Sequence, residues 1–127
     1  MSDALVLIVD DNGLNVKLAR DVLRFAGFRT LEAGSGREGV SLAAGHLPDV
    51  ILMDIRLPDM EGTEALRRLK DAPHTARIPV VALTSFAMKG DRDRFLAEGF
   101  DGYLEKPISV RDFPDQVRSY CRVSEED

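Results

Sequence analysis

The sequence predicts an α/β domain, a parallel sheet with helices on both faces. Three observations predict it. Five short apolar runs alternate with five longer amphipathic stretches, giving the order βαβαβαβαβα. Runs one, three and four carry no polar alternation, the pattern of strands covered on both sides. Two of the amphipathic stretches end at a glycine, Gly27 and Gly99, as helices do.

The first run, Leu5-Val6-Leu7-Ile8-Val9, reads as a buried strand. Leu14, Leu18, Val22 and Phe25 then recur on one helical face. The second run, residues 28–33, mixes polar and apolar residues as an edge strand does. A helix of small residues follows over about 36–44. The third strand is Val50-Ile51-Leu52-Met53. Ala65, Leu66 and Leu69 mark the next helix, with Lys70 in its last turn. Pro79 opens the fourth strand, Val80-Val81-Ala82-Leu83. A helix over about 89–98 leads to the short fifth strand, Gly102-Tyr103-Leu104. Val110, Phe113, Val117 and Tyr120 form the stripe of the last helix, and Ser109 with Asp112 resembles a capping pair. Pro114 lacks a backbone donor and disfavours helical geometry at Phe113. This helix is therefore expected to start late or bend.

The 127 residues fit one domain, expected over 1–123, with Ser124-Glu125-Glu126-Asp127 as a solvated acidic tail. No apolar run approaches the ~20 residues that cross a bilayer. The first residues lack the basic and apolar segments of a signal peptide, so the expected location is the cytoplasm. A net charge of −5 argues against nucleic acid, whose phosphates need a basic face. Cys121 is the sole cysteine, which excludes an internal disulfide. With no histidine or basic pocket evident beside it in sequence it is not expected to be a reactive thiol. His46 and His74 match no metal-ligand spacing.

Ligands of open α/β sheets bind beyond the carboxyl ends of the strands. Run one ends in Asp10-Asp11, run three in Asp54, run four in Thr84-Ser85 and run five in Glu105-Lys106-Pro107. If these strands are neighbours, three carboxylates, a hydroxyl and an ammonium converge. Each has an ordinary explanation alone: Asp54 as a turn former, Asp10 and Asp11 as caps helped by Asn12, Thr84 as a cap, Lys106 as a solvated cation. Caps do not require a lysine, so the conjunction points to chemistry. Like charges this close disfavour full ionisation. A divalent cation relieves the conflict, and Mg2+ suits it because it accepts a few carboxylates together with phosphate oxygens. Mn2+ is the alternative ion. Asp54 then stands as a nucleophile able to form an acyl phosphate.

These residues resemble the receiver domain of two-component response regulators over nearly the whole chain, from about Leu5 to Tyr120. The matching motifs are Val9-Asp10-Asp11-Asn12, Leu52-Met53-Asp54-Ile55-Arg56-Leu57-Pro58-Asp59-Met60 with Gly62, Ala82-Leu83-Thr84-Ser85, and Lys106-Pro107. Asn15 with Lys17-Leu18, Phe86-Ala87-Met88-Lys89-Gly90-Asp91 and Lys106-Pro107-Ile108-Ser109-Val110 look more narrowly like the single-domain regulators of the cell cycle. The resemblance implies a doubly wound, flavodoxin-like (βα)5 three-layer sandwich with strand order 2-1-3-4-5. It implies that Asp54 accepts a phosphoryl group from a histidine kinase or histidine phosphotransfer protein. Asp10 and Asp11 would hold Mg2+ with Asp54 and the backbone carbonyl of Arg56. Lys106 would pair with the phosphoryl group, Thr84 would move its hydroxyl onto it, and Tyr103 would turn inward with Thr84. The result is a signalling phosphoacceptor rather than an enzyme, with neither a DNA-binding nor an enzymatic output domain. The signal would leave through the face around residues 86–120, with Met88 and Lys89 exposed on it. A receiver cut from a hybrid histidine kinase is the alternative.

Two rival functions are weighed. Gly34-Ser35-Gly36-Arg37-Glu38-Gly39 matches the dinucleotide fingerprint G-x-G-x-x-G after a strand, with Asp54 near the ribose-binding position. That reading leaves Asp10, Asp11, Thr84 and Lys106 unexplained. An Asp-nucleophile phosphatase would place its nucleophile after the first strand with a second Asp two residues on, and residue 12 is Asn.

Overall fold

The computed structural model describes residues 4–85 and 90–121. In chain order the elements are β1 (Leu5–Val9), α1 (Gly13–Phe25), β2 (Arg29–Ala33), α2 (Gly36–His46), β3 (Val50–Asp54), α3 (Gly62–Asp71), β4 (Val80–Thr84), α4 (Asp91–Ala97), β5 (Gly102–Glu105) and α5 (Phe113–Tyr120). Every strand pairing is parallel, and the strand order is β2-β1-β3-β4-β5. This is the expected doubly wound (βα)5 arrangement.

Successive side chains of a strand point to opposite faces of the sheet. Leu7, Val9, Ile51, Met53, Val80 and Ala82 pack on one face, with Ala43 of α2, Ala65, Leu66 and Leu69 of α3, and Phe95 of α4. Val6, Ile8, Val50, Leu52, Val81 and Leu83 pack on the other, with Ala19 and Leu23 of α1 and Phe113 and Val117 of α5. Both faces being dry is why β1, β3 and β4 show no polar alternation. At the sheet edge, β2 leaves Arg29 exposed and buries only Ala33 fully, which accounts for its mixed composition. Gly27 and Gly99 follow α1 and α4 at φ of 99° and 112°, a left-handed conformation that glycine adopts without steric cost.

Two helices differ from the sequence reading. The α1 stripe is not the face that helix buries: Leu14 and Phe25 are 80% and 96% exposed. The buried contacts come from Ala19 and Leu23, with Val16, Val22 and Ala26 beside them. Of the stripe only Val22 reaches the core, because the sheet lies against the Ala19–Leu23 side of the helix. Helix α5 starts late, at Phe113 with Pro114 in its first turn, where a missing N–H costs nothing. Val110 lies ahead of that start and is 60% exposed, so the stripe shortens to Phe113, Val117 and Tyr120. Ser109 and Asp112 do pair, the Asp112 N–H donating to Ser109 Oγ at 3.2 Å. They close a turn before the helix rather than capping it.

Candidate functional site

The chain leaves β1 for β2 on one side and later crosses to β3 on the other. Beyond such a reversal, the carboxyl ends of neighbouring strands flank a natural crevice. Asp10 follows β1 directly, and its N–H donates to the Ala33 carbonyl at 3.0 Å. Its side chain is buried, with Oδ1 accepting the Asn12 N–H at 2.9 Å. Asn12 caps α1, its Oδ1 accepting from Leu14 and Asn15 N–H at 3.0 and 3.1 Å. The capping role open to Asp10 and Asp11 in the sequence therefore falls to Asn12. Asp11 is left exposed at the rim.

Asp54 ends β3, and its Oδ1 accepts the Arg56 N–H at 3.2 Å. One carboxylate oxygen each from Asp10, Asp11 and Asp54 lies within 4.8 Å of the others. From the far side of the sheet end, the Lys106 ammonium reaches Asp10 Oδ2 at 2.9 Å and Asp54 Oδ2 at 3.2 Å. Its backbone is fixed by an N–H bond to the Thr84 carbonyl at 2.8 Å. Thr84 is buried at the end of β4 and, with Ser85, lines the same open cleft of about 660 Å³. The structure thus brings together Asp10, Asp11, Asp54, Thr84 and Lys106, as the strand ends implied, and sets beside them Arg56, which the resemblance added. Tyr103 stands apart from this cleft. It is partly buried on β5, its ring tilted against Phe95 at 6.2 Å between centroids.

Charge dominates the site. Burial pushes the Asp54 carboxyl above the ordinary carboxylate range, with the nearby Asp10 adding to the shift, against the pull of the Arg56 N–H and Lys106. Burial also works against the Lys106 charge, but the Asp10 and Asp54 carboxylates outweigh it and hold the ammonium above its usual value. Asp10 Oδ2 is buried with an ionic partner but no aligned hydrogen-bond donor. One ammonium among three carboxylates leaves the cluster negative. A buried, under-satisfied oxygen facing two further carboxylates is a donor set that fits a hard divalent cation.

Several contributors were not legible in the sequence. Asp91 and Arg94 line the cleft from α4 and pair with each other at 3.4 Å. Nothing in their spacing marks them, because their position depends on where α4 docks. Residues 86–89, which include Met88, Lys89 and the expected start of the fourth helix, lie outside the described residues.

The glycine-rich G-x-G-x-x-G stretch is not a phosphate cradle. The Asp59 carboxylate already accepts the Gly36 and Arg37 N–H groups at 2.8 and 2.9 Å, where a pyrophosphate would sit. His46 and His74 are exposed. Burial pushes the Cys121 thiol up to about 11, so it is protonated at neutral pH and unreactive. Among the described residues no helix is long and apolar enough to cross a membrane.

Comparison with known proteins agrees with this arrangement. The chain is 48% identical over 115 residues to the polar-differentiation response regulator DivK of Brucella ovis, covering 91% of this chain and 94% of that protein. The receiver domain of the sensor histidine kinase PA1611 from Pseudomonas aeruginosa has a TM-score of 0.84 at 32% identity, over 94% of this chain and 98% of that one. The chemotaxis response regulator CheY4 of Vibrio cholerae has a TM-score of 0.86 at 26% identity, over 94% and 99%. Residues 6–118 match the response regulator receiver domain. With the strand order, the acidic cluster and the lysine opposite it, that match means the chain belongs to the response regulator receiver family.

Proposed function

We propose that this domain is a phosphorylation switch whose acceptor is Asp54. An Asp54 carboxylate oxygen attacks the phosphorus of a phosphohistidine on a histidine kinase or phosphotransfer protein. The P–N bond breaks, the imidazole keeps its electron pair, and an acyl phosphate P–O bond forms. The observation that carries this reading is the Lys106 ammonium spanning Asp10 and Asp54, since no capping role needs it there.

Asp10, Asp11, Asp54 and the Arg56 backbone carbonyl would hold Mg2+, with Mn2+ as an alternative. When bound, the cation neutralises charge on the phosphoryl oxygens. The PA1611 receiver structure, described with a magnesium ion coordinated in its active-site cleft, supports that assignment. Lys106, which spans Asp10 and Asp54, would pair with the incoming phosphoryl group. Catalysis of this kind is mostly positioning and charge stabilisation. The domain assists its own phosphotransfer and dephosphorylation and turns over no other substrate.

A phosphoryl group adds about −1.5 to −2 charge and three strong acceptors. The phosphoryl group offers Thr84 and Lys106 a partner that exists only in that state, and such a differential interaction shifts a conformational equilibrium. Tyr103, packed against Phe95 of α4, would report the change, and the face around residues 86–120 would meet a downstream protein. The likeness to a polar-differentiation response regulator supports a role in polarity or the cell cycle, for which the cytoplasm is the expected location. The likeness to the PA1611 receiver supports the other reading, a receiver of a hybrid kinase; the chemistry at Asp54 is the same in both. The test is incubation with a phosphorylated histidine phosphotransfer domain. Label is expected to move to Asp54 only with Mg2+ present, and transfer that survives EDTA contradicts the proposal.

A further inference from the structure

The loop between β3 and α3 carries Arg56, and it is held at both its base and its tip. At the base, the Gly62 N–H donates to the Ile55 carbonyl at 2.6 Å, and Arg56 forms a bridge to Glu61. Within it, the Leu57 N–H donates to the Met60 carbonyl at 3.2 Å. The loop is therefore a closed unit. Its tip is anchored to a different element.

That anchor has two neighbouring parts. Asp59 Oδ1 accepts the Gly36 N–H at 2.8 Å and Oδ2 accepts the Arg37 N–H at 2.9 Å. Met60 lies so close to Gly36 that a Cβ there would stand 2.6 Å from Met60 Cγ. The remaining first-turn donors of α2 are met locally. The Glu38 N–H donates to Ser35 Oγ at 3.1 Å, and the Gly39 N–H to the Ser35 carbonyl at 3.0 Å. Gly36 and Arg37 have no such partner of their own, so Asp59 completes the cap from outside the helix. The two amides hold the Asp59 carboxyl below the usual carboxylate range.

We infer that Asp59 is a positioning residue for the cation site: by pinning the loop tip to α2 it fixes the Arg56 backbone three residues away. That backbone has two duties at Asp54. Its N–H sets the Asp54 side chain through the bond at 3.2 Å, and its carbonyl would be a cation ligand. A loose tip lets both drift together. The inference rests on the phosphoacceptor reading.

The test compares the wild type with Asp59→Ala and Asp59→Asn. Mg2+ binding is followed by amide shifts, and phosphorylation by acetyl phosphate is measured at low and saturating Mg2+. Asp59→Ala is expected to lose exchange protection at the Gly36 and Arg37 amides. It is expected to weaken Mg2+ binding about 10-fold, the lower end of outer-shell losses. Its phosphorylation rate should fall at low Mg2+ and recover at saturation. Asp59→Asn keeps one good acceptor and should fall between the two, and it decides alone if Asp59→Ala does not fold. Wild-type Mg2+ affinity in the folded variants, or a rate loss equal at all Mg2+ concentrations, overturns the inference. Failure of the wild type to bind Mg2+ or to be phosphorylated instead overturns the phosphoacceptor reading and this inference with it, and amide protection still reports whether the tether exists.

Discussion

The Lys106 ammonium lies 2.9 Å from Oδ2 of Asp10, a carboxylate almost wholly removed from solvent. It also serves Asp54 at 3.2 Å. Removing one partner of a buried pair leaves an uncompensated charge, which is strongly destabilising. Lys106→Met is expected to lower metal-free stability by about 3 kcal/mol. Added Mg2+ should then stabilise the variant more than the wild type, because it supplies the missing positive charge. Denaturant unfolding with and without Mg2+ checks both halves, and unchanged metal-free stability contradicts the role given to Lys106.

Asp54 carries a pH signature. Burial raises its pKa in the fold, so the folded state holds this proton more tightly than the unfolded state. The favourable contribution is present below the unfolded pKa and is lost as pH rises through the folded one. Above that window the ionised Asp54 is a cost to the metal-free protein. Asp54→Asn removes the cost and should raise the melting temperature at pH 7 by about 2–5 °C. The gain should shrink toward acid pH, where the wild-type carboxyl is protonated in both states. Melting curves across pH without metal test this; a gain independent of pH, or a loss at pH 7, is the contrary result.

Gly62 and Gly45 should respond oppositely to alanine. A Cβ at Gly62 would stand 2.5 Å from the Asp54 carbonyl oxygen and 3.0 Å from Ile55 Cα, both backbone atoms that cannot swing away. Gly62→Ala is expected to destabilise by about 1–3 kcal/mol and to weaken Mg2+ binding, since it shifts the end of β3. Gly45 lies in α2 with open space around its Cβ position. Gly45→Ala should stabilise by roughly 0.5–1 kcal/mol through helix propensity, with Mg2+ affinity unchanged. Paired unfolding and titration measurements separate the two.

Arg56 lies two residues past the acceptor with an exposed side chain. A long cation there can lie over the acyl phosphate and impede attacking water. Arg56→Ala is expected to shorten the lifetime of phospho-Asp54 several-fold, read as the decay of the phosphorylated mass after donor removal. An unchanged lifetime contradicts this.

Much of the domain could be read from residue order. β1, β3 and β4 were legible because burial on both faces leaves an unbroken apolar run, and their last residues named Asp10, Asp54 and Thr84. Periodicity located α1 but misjudged its contacts. Leu14 and Phe25 recur at helical spacing yet face outward, whereas Ala19 is small and gives a weak hydrophobic signal despite sitting against the sheet. Val110 failed for a different reason, because Pro114 delays α5 beyond it. Asp59 and the Asp91–Arg94 pair act across long sequence separations or through helix docking, and local spacing carries no trace of either. The G-x-G-x-x-G stretch misleads because a side chain from a distant loop, Asp59, takes the amides that a bound phosphate would use.

The most direct test of the account is intact-mass analysis after treatment with acetyl phosphate and Mg2+. The wild type should gain the mass of one phosphoryl group, and neither Asp54→Asn nor the wild type in EDTA should gain any. A modification that persists in Asp54→Asn, or no modification of the wild type by acetyl phosphate or a phosphohistidine donor, would contradict the claim that Asp54 is the acceptor.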